Sequence, residues 1–468
     1  MVRTRVAISP TGYPHIGTIY QVLFDYAFAK RHGGSFIVRI EDTDQKRLVP
    51  DAEKKVFEAL DWFGLEENES VRKGGPYSPY RQSDSLSLYQ QFAKELVKKG
   101  HAYYCFCSKE RLEEIRKKMQ AEKKVPMYDK LCLRLSKEEI NKKIKEHNSW
   151  VIRLKVPENK QIIVKDEIRG KIVFDSNTVD DQVLLKSDGF PTYFLAVVVD
   201  DHLMKITHMA RGEEWLTSAP KVKLLYEFFN WKEPVFIHTP IIRNPDRSKF
   251  SKRQGHTNVL WYQKQGFLPE AILNYLALMG WSHPKGKDIF SLSEFIKLFD
   301  FKDIKVVGPI FDLKKLEWMN GEYLRKLKVN PPTGGLKLKV LEFIGKKYPE
   351  DIVEKTIPLI QERIKKLSDY LPLCEFFFKP PLTYEVNLAD KKGLLKKIYD
   401  ELGKIENWKA EVIGEKMQDL AKKEGIKTGE FFMILRVAIT GKKISPPLNE
   451  SMEILGKKES LERVKILM

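Results

Sequence analysis

The first 45 residues limit the fold more than any other part of the chain. Residues 5–8 form a short, mostly apolar run. Ser9-Pro10-Thr11-Gly12-Tyr13-Pro14-His15 follows, a loop marked by two prolines and a glycine. Ile16, Ile19, Tyr20, Leu23, Phe24 and Ala27 then recur at helical spacing, and Gly33-Gly34 supplies the stop. Residues 36–40 are a nearly continuous apolar run, the pattern of a strand buried on both faces, and they end in Glu41-Asp42-Thr43-Asp44. Strand, helix and strand in this order form a βαβ unit, so the chain is expected to build a doubly wound α/β parallel sheet.

The pattern breaks after about residue 80. Residues 81–185 mix basic helical stretches, such as 111–124, with β-rich stretches, such as 149–156 and 161–164, and read as an α+β insertion. Strand signals return at 193–199 and 206–209, each ending in charge (Asp200-Asp201; Arg211), and predict the second half of the sheet. Residues 241–320 read as loop and helix. From 321 onward the pattern is almost wholly helical, for example at 352–373 and 394–402, with Pro331-Pro332-Thr333-Gly334-Gly335 as a joint. The expected division is 1–80 with 186–240, an insertion at 81–185, a connecting region at 241–320 and an all-α region at 321–468.

Charge narrows the function. The chain carries 82 Lys and Arg against 64 Asp and Glu, a formal charge of +18. Residues 101–170 and 321–468 each contribute +7 of this. Lysine-rich helices can be plain solvated faces, but two separated basic surfaces suit a long polyanion touched at two places. No apolar run approaches the ~18 residues of a membrane helix, so no membrane association is expected. The N-terminus lacks the long apolar region and small-residue cleavage site of a signal peptide. Four cysteines (Cys105, Cys107, Cys132 and Cys374) are too sparse for a disulfide framework and fit a reducing, cytoplasmic setting.

Two segments carry chemistry. A loop that leaves a parallel strand and enters a helix is an anion site by geometry, because the first helical N–H groups are unpaired and the dipole favours negative charge. Gly12 and Gly17 let the backbone approach a ligand, and His15 and Thr18 add donors. Neither common nucleotide-binding glycine fingerprint is present. The second segment is the basic loop Lys249-Phe250-Ser251-Lys252-Arg253, preceded by Asn244-Pro245-Asp246 and starting 234 residues after His15.

His15-Ile16-Gly17-Thr18 resembles the His-Ile-Gly-His signature of the class I aminoacyl-tRNA synthetases, with Thr18 at the fourth position. Ser9-Pro10-Thr11-Gly12 resembles the glutamyl and glutaminyl branch. The basic loop is similar to the family's Lys-Met-Ser-Lys-Ser loop, keeping Lys249, Ser251 and Lys252 and departing at Phe250 and Arg253. Ile242-Arg243-Asn244-Pro245-Asp246 and Glu213-Glu214-Trp215 also look like the glutamyl branch, and the helical C-terminal region is like its bacterial members rather than the β-barrels of glutaminyl enzymes.

The resemblance implies a Rossmann-type catalytic domain, an acceptor-end-binding insertion, a stem-contact region and an α-helical anticodon-binding region. It implies a monomeric ligase that activates L-glutamate with ATP and Mg2+ and transfers it to the 3′ end of tRNA(Glu), leaving open whether tRNA(Gln) is also charged. ATP then falls to Thr11, Gly12, His15, Gly17, Thr18, Ile242, Lys249, Ser251 and Lys252, with His15, Thr18 and Lys252 catalytic. No covalent nucleophile is needed, since positioning and charge neutralisation suffice. Glutamate falls to Arg5, Ser9, Glu41, Tyr193 and Arg211. Charge supports this set: rejecting neutral glutamine requires a cation on the side-chain carboxylate, ideally arginine at a strand end, while Glu41 and Ser9 hold the ammonium. Val197 stands where some relatives place an asparagine, so one polar contact is expected to be missing. The anticodon falls to Arg363, on the 352–373 helix, and to Arg436, Pro446 and Leu448. Cys105-Phe106-Cys107 with Cys132 resembles a zinc knuckle, but Leu133-Arg134 supplies no fourth ligand and Tyr128 is not a usual one, so bound zinc is not expected.

Overall fold

The structure, a computed structural model, describes residues 1–468 apart from 147–148, 251–256 and 346. Ten strands are assigned among the described residues: β1 (Arg3–Ile8), β2 (Ser35–Ile40), β3 (Glu69–Ser70), β4 (Ala102–Cys105), β5 (Val151–Leu154), β6 (Gln161–Asp166), β7 (Gly170–Asp175), β8 (Val183–Leu185), β9 (His208–Gly212) and β10 (Val235–Thr239). The chain forms two compact units, Met1–Trp261 with Leu273–Asp312, and Tyr262–Ile272 with Leu313–Met468.

The first unit is the expected parallel α/β layer. β1 pairs in parallel with β2 from Arg3 opposite Ser35 to Ile8 opposite Ile40, and β2 pairs with β3. The helix Ile16–Arg31 makes the crossover and buries Ile16, Ile19, Leu23 and Phe24. β9 pairs in parallel with β10, which meets β6 at the single pair Phe236 and Asp166. Thr207, just ahead of β9, donates its N–H to the Arg3 carbonyl (3.0 Å) and accepts from the Arg3 N–H at Oγ1 (2.8 Å), joining the two halves. Strand order therefore reverses between β1 and β9, which opens a crevice at their carboxyl ends. A separate antiparallel sheet, β4-β5-β8, carries the insertion.

Three expectations change. Residues 193–199 are not a strand but the start of the helix Tyr193–Leu203. Its apolar positions are buried on every side, against helix Ala219–Phe229 and β8 among others, so no period of 3.6 shows in the sequence. Residues 161–164 belong to β6, and the β6–β7 hairpin pairs onto the edge of the parallel sheet rather than onto the insertion's own sheet. The 352–373 helix is broken: Glu350–Ile360 ends soon after Pro358, and Tyr370–Cys374 follows a turn. Asp369 Oδ2 accepts the N–H groups of Lys365 and Lys366 at 2.8 and 3.0 Å, a local alternative to helical bonding. Arg363 thus lies in a turn.

The second unit is helical throughout. Leu324, Val340, Ile357 and Ile360 pack with Leu268 and Ala271 in one core, and Leu395, Met417, Leu435 and Met452 form another. Pro331 to Gly335 link helices Leu313–Lys326 and Leu336–Ile344 inside this unit. Among the described residues no helix is long and apolar enough to cross a membrane.

Candidate active site

The crevice holds a cavity of about 910 Å³. Arg5, Ser9, Thr11, His15, Gly17, Thr18, Glu41, Tyr193, Arg211, Ile242 and Lys249 all line it. Gly12 is not among the lining residues. Ser251 and Lys252 lie outside the described residues. Gln21, Lys186 and Thr239 also line the cavity and carry no local sequence signal.

At the nucleotide-like end, His15 caps the helix Ile16–Arg31 by accepting the Gly17 N–H on Nδ1 at 2.9 Å. A neutral ring with Nδ1 as acceptor carries its proton on Nε2, which makes that atom a donor. The expected row of unpaired helix amides is absent here: the Ile16 N–H donates to the Thr257 carbonyl (2.7 Å) and the Thr18 N–H to the His15 carbonyl (2.8 Å). The Gly17 and Thr18 N–H groups close onto His15 and the Ile16 N–H onto the segment at Thr257, so side chains must supply the donors. Phe250, at the position that departs from methionine, stacks on Phe311 at 4.7 Å and meets the His15 ring edge-on at 6.2 Å. The Asn244 amide fixes the base of the basic loop by donating to Ser248 Oγ (2.8 Å) and the Lys249 carbonyl (3.2 Å).

At the other end, charges are buried in pairs. Arg5 sits within β1 rather than at its end, and its Nε and Nη2 donate to the two oxygens of Asp201 at 3.1 and 3.0 Å. Its Nη1 donates to the Ala210 carbonyl. Arg39 reaches Asp201 Oδ1 (2.6 Å) and Glu41 Oε1 (2.8 Å). Burial pushes the Asp201 carboxyl up, but Arg5 and Arg39 outweigh it and hold the group below the usual range. Asp200 is pushed up to about 6 by burial, with Arg39 opposing. Among the described residues Glu41 is held through Oε1 alone, which leaves Oε2 to receive a cation. Arg211, near the end of β9, donates from Nε to His238 Nε2 (3.0 Å) and from Nη1 to the Tyr193 hydroxyl (3.3 Å). Its Nη2 is buried and, among the described residues, has no hydrogen-bond partner. A desolvated guanidinium N–H with no acceptor is a strong site for a carboxylate. Tyr193 is braced by stacking on Trp215 at 4.3 Å. Val197 is fully buried in its helix.

The Cys105, Cys107 and Cys132 sulphurs lie within 4.8 Å of one another. No described His, Cys, Asp or Glu completes a fourth position; the Tyr128 hydroxyl lies 3.3 Å from Cys107 Sγ and 3.5 Å from Cys105 Sγ. Hydrogen bonding from Cys132 pulls the Cys105 thiol well down.

In the helical unit, Arg363 and Arg436 converge. Arg363 Nη1 donates to the Ser445 carbonyl at 2.9 Å, and Arg436 Nη1 to Ser445 Oγ at 3.3 Å. Burial and the neighbouring Arg363 both lower the Arg436 pKa. Among the described residues neither arginine pairs with a carboxylate. Pro446 and Leu448 are both buried, Leu448 in the core, and neither presents an open face to a base.

Residues 1–318 match the family model described as tRNA synthetases class I (E and Q), catalytic domain, and residues 320–468 match an anticodon binding domain. A glutamate–tRNA ligase from Acidothermus cellulolyticus is 44% identical, covering 99% of this chain and 95% of its own length. One from Pseudomonas putida is 45% identical over 97% of this chain and 92% of its own. A solved glutamate tRNA ligase from Elizabethkingia meningosepticum, in complex with its amino acid, superposes with a TM-score of 0.88 at 36% identity, covering 100% of this chain and 99% of that one. The crevice at the strand reversal, with its buried arginines and capping histidine, thus lies in a chain that belongs to the class I tRNA synthetases of the E and Q group.

Proposed function

We propose that this chain is a glutamate–tRNA ligase, acting as a cytoplasmic monomer on L-glutamate, ATP and tRNA(Glu). The observation that carries the reading is the Arg211 guanidinium lining one end of the cavity, oriented by His238 and Tyr193 and, among the described residues, without a carboxylate partner. A dicarboxylic amino acid gives this guanidinium the carboxylate it lacks, and the neutral amide of glutamine leaves an N–H facing an N–H. Arg5 adds a second positive charge and the remaining N–H of Nη1. Glu41 Oε2 and Ser9 take the ammonium. The α-carboxylate is then directed toward the nucleotide.

The carboxylate attacks the α-phosphorus of ATP and pyrophosphate leaves; the tRNA terminal hydroxyl then attacks the activated carbonyl, loses its proton and expels AMP. Catalysis is positioning and charge neutralisation. His15 Nε2 and Thr18 donate to phosphoryl oxygens, Lys249 and Lys252 neutralise the leaving group, and Thr11, Gly17, Ser251 and Ile242 shape the nucleotide seat. Mg2+ accompanies the phosphates. In the helical unit, Arg363 and Arg436 face the anticodon.

The test is ATP–pyrophosphate exchange with glutamate in the presence of purified tRNA(Glu), followed by aminoacylation of tRNA(Glu) and tRNA(Gln) with labelled glutamate. Exchange and charging of tRNA(Glu) are expected. Absence of exchange with any glutamate-accepting tRNA defeats the proposal. Lys252→Ala is expected to cut turnover far more than tRNA affinity; equal losses point to a binding protein instead.

A further inference from the structure

The geometry behind Arg211 is as ordered as the cavity in front of it. His238, on β10, is fully buried. Its Nδ1 lies 2.6 Å from Asp166 Oδ2, at the end of β6, and its Nε2 lies 3.0 Å from Arg211 Nε. Arginine Nε carries a hydrogen and cannot accept, so His238 Nε2 must be the acceptor. The ring proton then sits on Nδ1 and donates to Asp166. Asp166 is itself fixed from all sides: Oδ1 accepts the N–H groups of Ile168 and Arg169 (3.1 and 3.0 Å), and Oδ2 also accepts the His238 N–H (3.0 Å).

From this we infer that His238, locked by Asp166, is a positioning residue that sets the direction in which Arg211 meets the substrate's side-chain carboxylate. A guanidinium is planar, so two fixed N–H directions define the third. Nε–H is spent on His238 and one Nη1–H on Tyr193, which fixes the plane of the guanidinium where Arg211 lines the cavity. The Nε–H is therefore closed to the substrate carboxylate, which is received at the outer end of the guanidinium. A protonated imidazole would face the Nε–H with another N–H. Burial keeps the His238 pKa below its ordinary value, with Asp166 raising it and Arg211 and Arg169 lowering it, so the neutral acceptor form is maintained. The inference rests on the reading that Arg211 binds the substrate's side-chain carboxylate.

Two replacements separate the two halves of the imidazole. His238→Asn keeps an amide donor at the Nδ1 position but has no acceptor for Arg211. His238→Gln places an amide oxygen at the Nε2 position and gives up the Asp166 bond. Steady-state aminoacylation of tRNA(Glu) by the full-length variants is expected to show the glutamate KM raised about 10-fold or more in His238→Asn, with the ATP KM within about 2-fold, and mostly restored in His238→Gln. The ratio of kcat/KM for glutamate over glutamine, which does not depend on the folded fraction, should fall about 10-fold in His238→Asn only. A purely structural histidine predicts equal losses, or a worse His238→Gln, and either result overturns the inference. Arg211→Gln is measured alongside. If it raises the glutamate KM while His238→Asn does not, the positioning role fails and the Arg211 reading stands. If it leaves the glutamate KM unchanged, the Arg211 reading itself fails, and this inference with it.

Discussion

Gly17 shows how little room a single position can have. A Cβ there meets His15 Nδ1 at 3.0 Å, inside ordinary contact, so Gly17→Ala must push the imidazole or lose the Gly17 N–H bond that fixes its tautomer. The expected result is a fall in kcat of roughly 10-fold or more with the glutamate KM little changed, read by ATP–pyrophosphate exchange. Asp25 makes a different prediction. Burial raises its carboxyl to about 8, against the pull of Gln21 and Arg5. An unfolded aspartate ionises near pH ~4. Between these values the unfolded chain has released a proton that the folded chain keeps, so the contribution of Asp25 to stability falls as pH rises through that window. The thermal midpoint of Asp25→Asn should therefore gain on the parent from pH 5 to pH 8; a constant difference refutes the assignment. His15, Gly17 and Thr18 could be read from the sequence because their motif is contiguous. Asp201, Asp166 and His238 could not, since Arg5 and Asp201 stand 196 residues apart and His238 and Asp166 stand 72 apart, with no local pattern linking them.

Elements reveal the limits of periodicity. The helix Ile16–Arg31 and strand β2 were legible because turn residues bracket each and their lengths separate them. Tyr193–Leu203 was not, because a helix buried on every side presents the same apolar run as a buried strand. Arg211 was placed near a strand end correctly, while Arg5 was not, since β1 begins two residues earlier than its apolar run. The break after Ile360 depends on Asp369 capping backward, and Gly266 helps hold that segment by accepting the Leu367 N–H at 3.0 Å. Gly266 has φ +72°, and a Cβ there falls 2.6 Å from Leu367 Cβ and 2.9 Å from the Leu367 nitrogen. Gly266→Ala is expected to destabilise the helical unit by about 1–3 kcal/mol, measured by urea unfolding. A change under about 0.5 kcal/mol refutes the packing argument.

For the molecule as a whole, the charge of +18 and its concentration in residues 101–170 and 321–468 predict salt-sensitive tRNA binding. The logarithm of affinity should fall linearly with the logarithm of salt concentration. Arg363→Gln with Arg436→Gln should raise the tRNA KM while leaving the ATP KM unchanged, because the pair gathers at Ser445 in the helical unit. A flat salt response argues that these basic blocks are only solvated surface. The compact units also part company with chain order. Leu268 and Ala271 belong to a core whose other members run from Leu324 to Cys374, while Leu273–Asp312 belongs to the first unit. During synthesis these two side chains leave the ribosome early and wait on the order of 10 s, at typical translation rates, for the partners that cover them. Biogenesis therefore includes an interval in which an apolar segment of the nascent polypeptide is open to chaperones and proteases.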